Sequence, residues 1–213
     1  MKLLPLLVAA LASVLLLQPA GAVTYRVTID TTPLQGVAGF AAFDFLAGAP
    51  LTGNSATVSG FGSDGSLGAA TSSGNVSGQL LPGPLTLGGG AQFFNEWLQT
   101  YSAFGSTMTY ELDLGEIVQA SGRADEFAFF LLDVNQLPIV TTDPTGAGAL
   151  FYFDLAGAAT SPVIFTSASA AATIVPIIAS VPEPDTFPLV LAGMAVVVAL
   201  GARIERRLPR LGL

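Results

Sequence analysis

The 213-residue chain contains no cysteine and no histidine. Without cysteine there is no disulfide scaffold, no thiolate nucleophile and no Cys-ligated zinc. The missing histidine takes away Ser-His-Asp and Cys-His catalysis, His-ligated haem and most zinc chemistry. Any catalysis would have to run on carboxylates. Positive charge is scarce as well: Lys2 is the one lysine, and only Arg26 and Arg123 fall between the two apolar ends of the chain, in residues 23–180. Twelve acids occupy the same stretch, so its net charge is 2 − 12 = −10. Such a surface disfavours nucleic acid, whose phosphates need Lys and Arg partners. It also disfavours anionic membrane surfaces, and it is compatible with divalent cations, with neutral sugars, or simply with solubility outside a cell.

What is present at the two ends sets an expected topology. Lys2 supplies a positive charge, Leu3 to Leu17 is almost wholly apolar, and Ala20 and Ala22 place small residues at −3 and −1 of a cut after Ala22. Those three regions in that order predict a secretory signal peptide over 1–22. At the other end, Val181-Pro182-Glu183-Pro184 precedes an uncharged apolar run, Phe187 to Ala202, followed by Arg203, Arg206, Arg207 and Arg210. As helix the run is about 24 Å long against a hydrocarbon core of about 30 Å. Arg203 can snorkel and draw Ile204 into the bilayer, which extends the predicted span to 187–204. Four arginines against Glu205 place the tail, 203–210, in the cytoplasm. The signal peptide sends the intervening residues outward, so both ends predict the same orientation.

The ordered combination of Pro-Glu-Pro spacer, short hydrophobic span and arginine cluster resembles the bacterial PEP-CTERM sorting signal, over residues 181 to 210. The prolines hold Pro182 to Pro184 extended and exclude helix, which suits a peptide that is to be threaded and cut. The resemblance implies an exosortase-type membrane enzyme as processing partner, anchoring in the inner membrane until the tail is removed, and final residence at the cell surface or in the extracellular polysaccharide matrix.

Residues 23–180 are long enough for one domain with a substantial core. Period-two alternation dominates them. Tyr25, Val27 and Ile29 alternate with polar neighbours, as do Met108, Tyr110, Leu112 and Leu114. Denser runs at Phe40–Leu46, Phe127–Leu132, Leu150–Leu155 and Val163–Phe165 read as more deeply buried strands. Thr52 to Gly78, heavy in Gly, Ser, Thr and Asn, reads as turns and weak strands, with Thr57–Phe61 the best strand in it. Phe93, Phe94, Trp97, Leu98, Tyr101 and Phe104 recur at helical spacing and predict a short helix or helical turn. Gly88-Gly89-Gly90 before them and Gly105-Ser106 after them would equally suit a loop. The expected architecture is an all-β, antiparallel β-sandwich ectodomain of seven to ten strands with one short helix, flanked by the signal peptide and one transmembrane helix. Phe43-Asp44-Phe45-Leu46-Ala47-Gly48 is echoed by Phe153-Asp154-Leu155-Ala156-Gly157, predicting two related strands at sheet edges.

No catalytic constellation emerges. Glu111 and Asp113 share a strand face, but it is the polar face of an amphipathic strand, where solvated acids are expected, and the chain is not expected to be an enzyme. No cofactor is required. Weak calcium binding, of the kind extracellular modules show, has candidate ligands in Asp30, Asp113 and Glu116 or in the loop of Asp143. The expected function is that of a non-catalytic surface or matrix protein. The alternative is a carbohydrate-binding module or adhesin whose platform uses Trp97, Tyr101 or Tyr152, provided those rings face solvent.

Overall fold

A computed structural model describes residues 24–115, 121–156 and 161–177. The chain divides into two units, Met1–Ile177 and Ile178–Leu213, and the second lies outside the described residues. So do the predicted signal peptide with Ala20 and Ala22, the Val181–Pro184 motif, the span and the arginine tail. Among the described residues no helix is long and apolar enough to cross a membrane.

The described residues of the first unit are all-β. Its strands are β1 (Thr24–Asp30), β2 (Gly39–Leu46), β3 (Ser55–Ser63), β4 (Ser66–Ser73), β5 (Val76–Gly78), β6 (Leu85–Gly88), β7 (Phe94–Ala103), β8 (Thr107–Asp113), β9 (Asp125–Leu132), β10 (Phe151–Leu155), β11 (Pro162–Ile164) and β12 (Ala171–Ile177). They form two six-stranded sheets, ordered β12-β1-β8-β3-β6-β5 and β11-β10-β9-β2-β7-β4, with every pairing antiparallel. The sheets share one core. Tyr25 of the first meets Phe153 of the second at 4.8 Å between ring centroids, and Tyr110 meets Phe43 at 5.4 Å. This is the arrangement of a β-sandwich.

The clean alternations behave as expected. Tyr25, Val27 and Ile29, and Met108, Tyr110 and Leu112, are buried between polar neighbours. Other expectations need correction. The only helix among the described residues is a 3-10 turn, Thr32–Leu34, and the aromatic segment predicted as a short helix is the ten-residue strand β7. Its inner face carries Trp97 and Tyr101 and its outer face Phe94 and Leu98, because the outer face of this sheet has an apolar island of its own: Ala42, Leu98 and Leu132, with Phe40 and Phe130 against it. Apolar residues on both faces of a strand erase period two and leave spacings of three and four.

The Gly/Ser-rich stretch is mostly strand as well, and twelve strands exceed the seven to ten expected. β3 keeps Ala56 and Val58 inward and then breaks register with β8 between Ser59 and Gly62. Gly60, at φ +58°, supplies the left-handed residue, and the bulge turns Phe61 back into the core. Finally, the two Phe-Asp strings are not at sheet edges. β2 and β10 lie on either side of β9, and the edges of that sheet are β11 and β4.

Candidate functional site

The chemistry concentrates on the outer face of the second sheet. Strand pleating sends Phe43 and Phe45, Phe127 and Phe129, and Phe151 and Phe153 into the core, so alternate positions face outward. Register then fixes which acids meet. Asp44 of β2 is directly opposite Glu96 of β7, and Glu126 of β9 is directly opposite Asp154 of β10. Directly opposed residues have Cβ atoms about 4.5–5.5 Å apart, so the two carboxyl groups of each pair are close neighbours. The pairs are diagonal neighbours: Asp44 stands beside Ala128, two residues along β9 from Glu126.

The surroundings raise the proton affinity of three of these carboxyl groups, Asp44, Glu96 and Glu126. Burial and then the Glu96 carboxylate push Asp44 up to about 7, and its Oδ1 has no hydrogen-bond partner. Burial also raises Glu96. Glu126 is raised by burial and by Asp154 and Asp143, with the Arg123 guanidinium acting in the opposite direction. Near neutral pH the Asp44 carboxyl is therefore in part protonated. A protonated carboxyl donates as well as accepts, so Asp44 adds a donor to a face whose ionised carboxylates only accept.

Asp125 and Asp64 are committed to loops. Asp125 is buried, accepting from the Gly48 amide and the Thr52 hydroxyl through short hydrogen bonds and from Asn54 Nδ2 at 2.8 Å. It ties the loop after β2 to the start of β9. A side chain at Gly48 would run into the Arg123 carbonyl, so the loop passes where only glycine fits. Asp64 accepts from Ser106 N at 3.0 Å, Ser106 Oγ at 2.6 Å and Thr107 N at 2.9 Å, which holds its carboxyl down at about 2.

The calcium candidates are not brought together. Asp30 and Asp113 sit at opposite ends of the β1–β8 pairing, where Asp30 faces Thr107 and Asp113 faces Thr24. Each caps a local turn, accepting from Thr32 N at 2.9 Å and Gly115 N at 2.7 Å. Glu116 lies outside the described residues. Asp143 is occupied by Thr145 N, Thr145 Oγ1, Gly148 N and Ala149 N. Among the described residues no three acidic side chains are grouped to hold a metal ion. Glu111 makes an ion pair with Arg26 at 2.9 Å rather than a pair with Asp113.

The three aromatic residues predicted as a ligand platform do not form one. Tyr101 is 1% exposed and stacked on Phe104 at 4.6 Å, and Trp97 points inward against the core. Tyr152 alone lies on the outer face, packed against Phe165 at 5.9 Å. Sequence reasoning missed the Asp44–Glu96 and Glu126–Asp154 pairs. The Phe-Asp echo was a trace of them, since it placed one acid at matching outward positions of the two strands that flank β9.

Comparison of the chain with protein-family models, with curated proteins and with solved structures finds no match. The fold and the acidic face define a class, an acidic two-sheet all-β domain, and the functional reading rests on chemistry and on the sequence signals.

Proposed function

We propose that the chain is a non-catalytic exported protein of the cell surface or extracellular matrix, made with a signal peptide over 1–22. It is held in the inner membrane by a C-terminal span and processed by an exosortase-type enzyme at the Pro-Glu-Pro segment. The observation that carries this reading is the ordered string from Val181 to Arg210: a Pro-Glu-Pro spacer, an apolar run, then arginines. The exported domain, residues 23–180, is a β-sandwich whose net charge of −10 and lack of cysteine and histidine suit a stable extracellular module better than an enzyme. Its polysaccharide partner meets the outer face of the second sheet, where Glu96, Glu126 and Asp154 offer carboxyl groups to sugar hydroxyls. The proposal needs no cofactor, no calcium and no nucleic acid.

Expression in a bacterium with and without its exosortase tests the route. Intact-mass measurement of released protein is expected to show a new C-terminus near Pro182 to Pro184, with Arg203 to Arg210 gone, only when the enzyme is present. Released protein that keeps its arginines would overturn the assignment.

A further inference from the structure

The described domain begins and finishes at one end of the sandwich. Thr24 is directly opposite Ile177 across the β1–β12 pair. Tyr25, one residue in, packs on Phe153, which is level with Phe127 and Phe45 in the facing sheet. Leu46 and Phe94 come one position further out, so the loops that follow β2 and precede β7 and β9 occupy this same end. Here Leu51, Phe93 and Phe94 are 51%, 53% and 41% exposed. Arg123, one of the two arginines in residues 23–180, sits over the Phe93 ring at 5.6 Å. The cluster is rigidly held: Ala47 N donates to Phe93 O at 2.8 Å, Ala49 N to Arg123 O at 3.1 Å, and Asp125 braces the loop that carries Leu51.

We propose that this end, through Phe93, Phe94, Leu51 and Arg123, rests on the lipid surface of the bilayer that holds the uncleaved chain. The inference rests on the anchored-precursor reading above. Nine residues, 178–186, separate Ile177 from the predicted span, and fully extended they reach about 30 Å. β7, with ten residues, is itself about 33 Å long, so the tether favours contact by the end from which it leaves. Exposed aromatic rings with an arginine beside them suit the headgroup layer, where ring bodies insert and a guanidinium meets phosphate. Asp113, Glu126 and Asp154 lie toward the same end and oppose anionic lipid, so the contact depends on the high effective concentration that the tether supplies. Once the tail is cut the domain leaves the bilayer. Until then, the contact keeps the Pro-Glu-Pro segment at the level where a membrane enzyme works.

Because the chain has no cysteine, single-cysteine variants report without background. Leu51→Cys at this end and Val134→Cys at the other, each in the full chain and labelled with an environment-sensitive fluorophore, are reconstituted into phosphatidylethanolamine–phosphatidylglycerol vesicles containing nitroxide lipid. Quenching at position 51 is expected to exceed that at 134 at least about twofold, and to fall when Phe93→Ser and Phe94→Ser are added. Equal quenching at the two positions, or no effect of the serines, overturns the contact. Flotation of the same samples separates the two claims. A chain that does not float with the vesicles overturns the anchored precursor and the contact together, whereas one that floats without quenching at 51 overturns only the contact.

Discussion

Asp44, Asp64 and Asp125 are the same residue type in three environments, and they predict three different behaviours. Asp44 is buried opposite Glu96 and is held up at about 7. Between about pH 4 and 7 the unfolded chain has released this proton while the folded one keeps it, so stability falls as pH rises through that window and then levels. The whole interval corresponds to about 4 kcal/mol. Asp44→Asn is therefore expected to stabilise the protein at pH 8 and to be neutral at pH 4, as read from urea unfolding at the two pH values. Asp64 has the opposite sign. Its carboxyl is held at about 2, so its contribution is present above about pH 4 and lost as pH falls through 2. Asp64→Asn is expected to lower the unfolding midpoint at pH 7, with the deficit vanishing in strong acid. Asp125→Ala strands donors from Gly48, Thr52 and Asn54 in the interior and is expected to cost about 3 kcal/mol or more, measured by chemical denaturation. All three acids were visible in the sequence. Their partners were not, since Asp125 meets residues more than 70 positions away.

At the scale of elements, the amphipathic strands and the dense apolar runs of β2, β9, β10 and β11 were legible, and β7 and the edge strand β4 were not. β1 and β8 have one wet face, so their alternation survives in the sequence. β7 is apolar on both sides and reads as a helix. β4 is exposed over most of its length, and its run of Gly, Ala, Thr and Ser reads as loop. Two register shifts against β7 also blunt it as an edge. β12 handles its edge differently. Pro176 is paired opposite Tyr25 and has no N–H. Prolines within sheets sit with the nitrogen on the open side of an edge strand, which is the side expected for Pro176 and, by alternation, for the Ala172 and Ile174 amides. The proline removes one donor from that edge. Pro176→Thr is expected to leave the unfolding midpoint nearly unchanged while increasing concentration-dependent association, followed by light scattering.

Across the whole molecule, non-local pairing dominates. β1 is joined to β8 and β12, and β2 to β7 and β9, so no sheet can form from neighbouring hairpins alone. Loop closure has to precede most of the stabilising contacts, and refolding is expected on the millisecond-to-second scale, checked by stopped-flow fluorescence of Trp97. The sequence by itself determined the chemistry that is absent, the sign of the charge, the strands with one wet face and the sorting signals expected at the two ends. Composition and short-range periodicity are local properties, and they can be read without a fold. Only the tertiary structure decided that Asp44 meets Glu96 and Glu126 meets Asp154, that Trp97 and Tyr101 turn inward, and that Phe93, Phe94 and Leu51 share an end with both Thr24 and Ile177. Those relations depend on strand order and register, which are set by how two sheets bury one core.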